Sequence, residues 1–145
     1  MSLREVFPYW AEVTESFAQA VRPLGDAHLA WLPPGQANNI AWLVRHVVSV
    51  HSRDVLAFAA GEATVPVPPD GADGTTYAAA LLAGAVRRAA FLAARDVSVL
   101  MDSRPFGQGR RTVGDALWNA FIEEVHHRGQ VWAWLRMQGL TPPRI

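Results

Sequence analysis

Four long stretches with helical periodicity, separated by links that contain Pro and Gly, constrain the fold of this 145-residue chain more than any other feature. In the first stretch, about residues 3–22, apolar side chains recur at steps of three and four, as on the buried side of an amphipathic helix. That stripe consists of Leu3, Phe7, Trp10, Val13 or Thr14, Phe17 and Val21, with Pro8 placed in the first turn. No convincing strand pattern is found, which favours an all-α fold.

The other three stretches have recognisable helix ends. The predicted helices cover residues 40–60, 76–95 and 112–138. Their expected N-caps are Asn38 or Asn39, then Thr75 or Thr76, and then Thr112, which Asp115 follows three residues later as in a capping box. Gly61 and Gly139 are expected to end the second and fourth helices.

The links predict how these helices are connected. The segment GEATVPVPPDGADG, after the second helix, is too long for a tight turn and suits a crossover along the length of a bundle. A later link, VSVLMDSRPFGQGRR, is expected to contain at most a short helical turn around Val99. The sequence therefore predicts one domain over residues 1–145, an all-α four-helix bundle with a long crossover between the second and third helices.

Composition excludes several classes of function. The formal net charge is zero, which argues against a nucleic-acid partner or an anionic membrane surface. Cysteine is absent, so a disulfide framework, a thiolate nucleophile and a Cys-based zinc site are excluded. No segment has the features of a signal peptide, and none is judged long and apolar enough to span a bilayer. We expect a soluble cytoplasmic protein with no membrane partner.

The segment EEVHHRGQ, residues 123–130, places ionisable groups on the fourth predicted helix. Glu123 and His127 are four residues apart and share a face; Glu124, three before His127, can also converge on it. On the second helix, His46 lies on the apolar stripe. His46 follows its helix start by about eight residues and His127 precedes its helix end by about eleven, so their depths match if the two helices are antiparallel.

Spacing alone leaves two interpretations open for these residues. One is a divalent metal site formed by His46, Glu123 and His127, a nitrogen and oxygen donor set that transition metals accept. The other is a polar cluster satisfied by internal hydrogen bonds. We interpret His126 as a surface or supporting residue, His51 and Asp54 as exposed, and Gly129 as a point of close helix approach.

The segments NNIAWLVRH, residues 38–46, and ALWNAFIEEVHHRGQVWAWLRMQGLTPP, residues 116–143, resemble the DinB-like (DNA-damage-inducible) superfamily. The resemblance extends nearly end to end. It implies an up-down-down-up four-helix bundle, often dimeric, with a metal held by His46 on helix two and by Glu123 and His127 on helix four. Glu123 departs from the histidine common at its position, and Asn119 stands where some relatives carry histidine.

The resemblance also implies an activity. Related proteins include transferases and isomerases that act with low-molecular-weight thiols, so we expect a metal-dependent hydrolase or thiol-dependent transferase acting on a small molecule, as a homodimer. Zinc or nickel is the expected ion, with manganese and iron as further candidates, and Glu124 is the candidate general base if it faces the pocket. The alternative is a non-catalytic bundle that binds a small ligand or partner.

Overall fold

A computed structural model describes residues 1–144. The helices are α1 (Leu3–Val6), α2 (Trp10–Val21), α3 (Asp26–Ala30), α4 (Ile40–His51), α5 (Gly74–Ala94) and α6 (Val113–Met137). A π-helical segment, Ser52–Ala59, continues α4, and a 3-10 segment, Val97–Met101, follows α5. Two short strands, β1 (Ser103–Phe106) and β2 (Gly109–Thr112), pair as an antiparallel hairpin.

The first predicted helix is divided in two around Pro8, because proline has no N–H to continue the backbone ladder. The predicted buried stripe is nevertheless confirmed across both parts. Its members Leu3, Phe7, Trp10, Val13, Thr14, Phe17 and Val21 are all buried.

The N-caps follow the predictions at two helices and depart from them at the third. Asn39 accepts a hydrogen bond from the Trp42 amide (2.8 Å), and Thr112 accepts one from the Asp115 amide (3.0 Å). At α5 the predicted threonine cap is wrong, since Asp73 accepts the bond from the Thr76 amide (2.8 Å). An acidic cap also complements the positive end of the helix dipole.

The α5 helix corrects the expectation that no segment could span a bilayer. Within its 21 residues, an 18-residue window has a mean hydropathy of 1.3, sufficient by length and composition alone. A core helix of a bundle has the same properties, and α5 packs against α2 and α4. Arg88, in the second half of α5, is buried against α2 and α6 rather than exposed on an apolar surface.

The hairpin contradicts the prediction that strands are absent. Gly107, with φ +57°, makes the turn between Phe106 and Gly109. Arg104 of β1 donates hydrogen bonds to the carbonyls of Phe58 and Ala59 at the end of the π-helical segment (2.5 and 2.8 Å). The hairpin thus attaches to the bundle partly through an arginine side chain, a contact that a hydrophobic pattern does not reveal.

The long helices pack in pairs, α2 against α5 and α4 against α6. His46 meets Glu123 whereas Asp54, further along, meets Asn119, so α4 and α6 are antiparallel, as expected. This pairing brings the first half of α4 to the middle of α6, where the candidate site lies.

Candidate metal centre

Two helices bring three side chains to one point. Nε2 of His46 on α4 lies 2.9 Å from Oε2 of Glu123 on α6, and Nε2 of His127 lies 3.0 Å from the same oxygen. One donor atom from each residue lies within 4.8 Å of the other two. The structure thus brings together the three residues that the sequence nominated.

Gln130 determines the tautomer of His127. Its Oε1 accepts a hydrogen bond from Nδ1 of His127 (2.6 Å), so the Nδ1 proton is fixed and Nε2 faces Glu123. Each ring nitrogen of His127 therefore faces an oxygen, whereas a neutral imidazole has only one N–H. A cation beside Nε2, either a second proton or a metal ion, resolves this arrangement, and the donor set consequently fits a divalent ion.

Trp42 supports His46 from the outer side of α4. The two rings are stacked, with centroids 4.9 Å apart and planes 7° from parallel. The His46 ring lies at 90° to the His127 ring, with centroids 5.0 Å apart. Stacking on one side and contact with α6 on the other fix the direction of the His46 donor atom.

Glu123 supplies the negative charge of the site. Burial raises the pKa of this carboxyl, but hydrogen bonds from His46 and His127, together with their charges, outweigh burial and hold the pKa below its ordinary value. The carboxylate form that a metal ion requires is therefore the favoured one.

One side of the cluster is open to solvent. The side chains of His46 and Glu123 are 32% and 34% exposed, whereas that of His127 is 11% exposed. A cleft of about 240 Å³ adjoins His46 and is lined by Trp42, Arg45, His46, Ser49 and Val67. A small molecule can reach the cluster from this side.

Glu124 faces away from the cluster. Its Oε2 accepts a hydrogen bond from Nε1 of Trp10 (2.7 Å), and its Oε1 accepts one from Thr14. Arg88 completes a buried ion pair with it at 3.5 Å, and both side chains are 2% exposed. The structure thus places the candidate general base among α2 and α5 and shows no hydrogen bond from it to the three candidate ligands.

Two residues expected to be exposed are buried. His51 is 7% exposed and Asp54 is fully buried. Asp54 accepts hydrogen bonds from Arg53, Arg111 and Asn119. The prediction failed because α4 and its π-helical continuation are packed by α5 and α6 on different sides, so residues off the His46 line are also covered.

The remaining polar residues near the cluster have simpler surroundings. His126 is exposed, which agrees with its interpretation as a surface residue. Gly129 is exposed and a Cβ there would meet nothing within 4 Å, so its expected role in close helix approach is wrong. Arg128 donates to Ser16 (2.9 Å) and lies over the Trp132 ring.

Antiparallel helices that enclose two imidazoles and a carboxylate define a class, the helical bundle with a candidate metal centre between its helices. The sequence profile of the DinB superfamily matches residues 9–131, and the chain belongs to this superfamily. Among solved structures, a DinB-like protein from Bacillus cereus ATCC 10987 is similar, with a TM-score of 0.76 and 16% sequence identity over 99% of this chain and 95% of that one. No curated protein matches the chain.

Proposed function

We propose that this protein is a metal-dependent enzyme in which His46, Glu123 and His127 hold one divalent ion. The convergence of their donor atoms within 4.8 Å carries the proposal. A three-residue donor set leaves coordination positions for water or substrate, as catalytic sites need. Two imidazoles and one carboxylate suit zinc or nickel best, with manganese and iron as further candidates.

The proposed reaction class rests on the chemistry of a bound ion and on the superfamily to which the chain belongs. A bound divalent ion supplies Lewis acidity, which activates water for hydrolysis or polarises a substrate thiol or carbonyl. Gln130 orients His127, Trp42 orients His46, and the open side admits a small substrate. These features support metal-dependent chemistry on a small molecule. Membership of the DinB superfamily directs the proposal to a hydrolase or to a transferase that uses a low-molecular-weight thiol, as the resemblance implies.

Elemental analysis tests the proposal on protein purified without a metal-affinity tag and supplemented with zinc, nickel or manganese. We expect one ion per chain, lost in His46→Ala and His127→Ala and retained in the matched control His126→Ala, whose side chain is exposed beside the site. A wild-type chain that binds none of these ions would overturn the proposal.

A second candidate is a non-catalytic bundle. The observation that favours it is the hydrogen-bond chain from His46 through Glu123 to His127, which can satisfy the cluster without an ion. The same elemental analysis separates the two functions, because only the enzyme requires a bound metal.

We further propose a cytoplasmic homodimer with an up-down-down-up order of α2, α4, α5 and α6. The order is supported by antiparallel α4 and α6 and by the contact of Arg88, late in α5, with Trp10, at the start of α2.

An apolar stripe on α6 supports association with a second copy, since Trp118, Ile122 and Val125 are 43%, 59% and 36% exposed. Ile122→Glu should shift the mass measured by light scattering to that of a monomer, and an unchanged mass would exclude this surface.

A further inference from the structure

The open face of α4 continues beyond the metal centre to an exposed cation. Trp42, His46, Ser49 and Arg53 follow one another at steps of four, three and four, so they form one line along the helix. Ser49 is exposed, and the side chain of Arg53 is 55% exposed. The line therefore runs from an aromatic ring, past the candidate ion, to a guanidinium.

Two hydrogen bonds to the buried carboxylate of Asp54 fix the guanidinium of Arg53. Its Nε and Nη2 donate to the two carboxylate oxygens of Asp54 at 2.7 and 3.2 Å. Asp54 is fully buried and also binds Nη1 of Arg111 (2.9 Å) and Nδ2 of Asn119 (2.8 Å). A fixed guanidinium loses little conformational freedom when it binds a ligand.

Charge at this position is not balanced. One carboxylate, that of Asp54, is shared between the guanidinium groups of Arg53 and Arg111, so these three groups together carry one positive unit. The charge of Glu123 also acts on Arg53, but its Oε2 faces His46 and His127 at the candidate metal centre. The Arg53 group has remaining N–H donors directed away from Asp54, since only Nε and Nη2 bind it. An anion is the natural partner for such a group.

The guanidinium of Arg53 lies close to the candidate metal centre. Asn119, which contacts Asp54, precedes Glu123 by one turn of α6. The hydrogen bond to Asp54 is the largest cause that raises the pKa of Arg53, and the charge of Glu123 also contributes. Arg53, at the start of the π-helical continuation of α4, follows His46 by seven residues, roughly 10 Å of helix.

We propose that Arg53 binds a carboxylate of the substrate, and so selects small acids whose reacting group lies at the metal centre. This inference rests on the proposed function, because the proposed metal centre defines where the reacting group lies. One uncompensated positive charge balances a monoanion, which favours a carboxylate over a phosphate dianion. The helix rise between His46 and Arg53 indicates a separation of roughly 10 Å between the acid group and the reacting group.

Binding of simple probes tests the proposal. Hexanoate, hexanol and hexyl phosphate are titrated separately into the purified chain, and the ¹H–¹⁵N NMR signal of the Arg53 Nε–H is followed. The variants are Arg53→Met, which keeps the aliphatic stem, Arg53→Lys, which keeps the charge, and the control Arg136→Met, an exposed arginine on α6. Circular dichroism checks that each variant is folded.

We expect hexanoate to shift the Arg53 signal and to bind more tightly than hexanol by up to about fivefold, the upper end of the range for a partly solvated ion pair. The preference should disappear in Arg53→Met, persist in part in Arg53→Lys and remain in Arg136→Met. Equal binding of hexanoate and hexanol by the wild type would overturn the proposal, as would a preference that survives Arg53→Met. Tighter binding of hexyl phosphate would overturn the assignment to carboxylates.

The outcome is separable from that of the proposed function. A carboxylate that binds directly to a bound metal ion does so independently of Arg53. Comparison of the variants therefore isolates the contribution of the guanidinium. A chain that binds hexanoate through Arg53 but no metal would retain the acid site and lose the proposed enzyme. A chain that binds metal but shows no Arg53-dependent preference would retain the metal centre and lose this inference.

Discussion

Nδ1 of His127 donates a hydrogen bond to Oε1 of Gln130, one turn further along α6, at 2.6 Å. Because this bond uses the Nδ1 proton, the opposite nitrogen of the ring is left to face Glu123, at 3.0 Å. Gln130 thus prepares a donor atom without contacting the candidate metal position itself. Partners of this kind typically determine both the tautomer and the ring orientation of a metal-binding histidine.

Replacing this partner should weaken metal binding. We expect Gln130→Leu to reduce zinc affinity about 10- to 100-fold, measured by competition with a chromophoric chelator, because the His127 ring loses its fixed tautomer. Gln130→Glu keeps an acceptor oxygen and should bind nearly as well as the wild type. Gln19→Leu, at an exposed position of α2, serves as the matched control and should have no effect. Wild-type affinity in Gln130→Leu would contradict this role.

The sequence predicted the long helices and the three converging residues because both depend on spacing within a helix. Helix periodicity and matching depth bring His46 and His127 together with a glutamate of α6, and the family resemblance identifies that glutamate as Glu123. Spacing could not separate Glu123 from Glu124, since both lie within one turn of His127. Packing decides between them: Glu124 faces α2 and α5, whereas Glu123 faces α4.

The hairpin and the π-helical segment were missed for a different reason. Both depend on contacts with distant residues, such as Arg104 with the carbonyls of Phe58 and Ala59. Asp54 was likewise misplaced, because its burial depends on Arg111 from β2 and Asn119 from α6. A local pattern has no information about such partners.

The buried ion pair between Arg88 and Glu124 should be costly to break on one side. We expect Arg88→Met to lower the free energy of unfolding by about 3–5 kcal/mol, since Glu124 would remain as a buried, uncompensated charge. The double variant Arg88→Met with Glu124→Met should recover much of this loss. The free energy of unfolding of each variant is measured by urea titration.

Arg87→Met is the control for that pair. Arg87 is adjacent in sequence but makes its ion pair with Glu62 at a partly exposed position, so its removal should cost no more than about 1 kcal/mol. Equal costs for the two arginine variants would show that burial of the Arg88 pair has no special energetic weight.

His51 should make the stability of the fold depend on pH. Burial lowers its pKa from 6.5 to about 3, with smaller contributions from the charges of Arg88 and Arg87 and an opposing one from Asp54. The unfolded chain therefore binds the proton more readily than the folded chain between these two values. The contribution of His51 to the free energy of unfolding is therefore fully present above pH 6.5. It decreases as the pH falls toward 3, by up to about 1.4 kcal/mol per pH unit.

Two variants check the origin of this pH dependence. His51→Phe removes the titrating group and should flatten the urea-unfolding free energy between pH 6.5 and 4.5, where most carboxyl groups remain ionised. His28→Phe, a half-buried histidine on α3 whose Nδ1 lies 2.9 Å from Oε1 of Gln138, is the control and should leave the slope in place. A slope unchanged in His51→Phe would assign it to other groups.

Arg104 should stabilise the end of the π-helical segment. Its guanidinium bonds to the carbonyls of Phe58 and Ala59, which the helix leaves without partners. We expect Arg104→Met to cost about 1–2 kcal/mol of unfolding free energy and to accelerate hydrogen exchange at the Ala60 and Glu62 amides. These amides make the last backbone bonds of the segment, to Val55 and Leu56.

Arg110→Met, in the same hairpin but bonded only to Ser103, should change neither quantity by a measurable amount. Faster exchange in both variants would show that the hairpin acts as a unit, and slow exchange in both would show that the segment holds without Arg104.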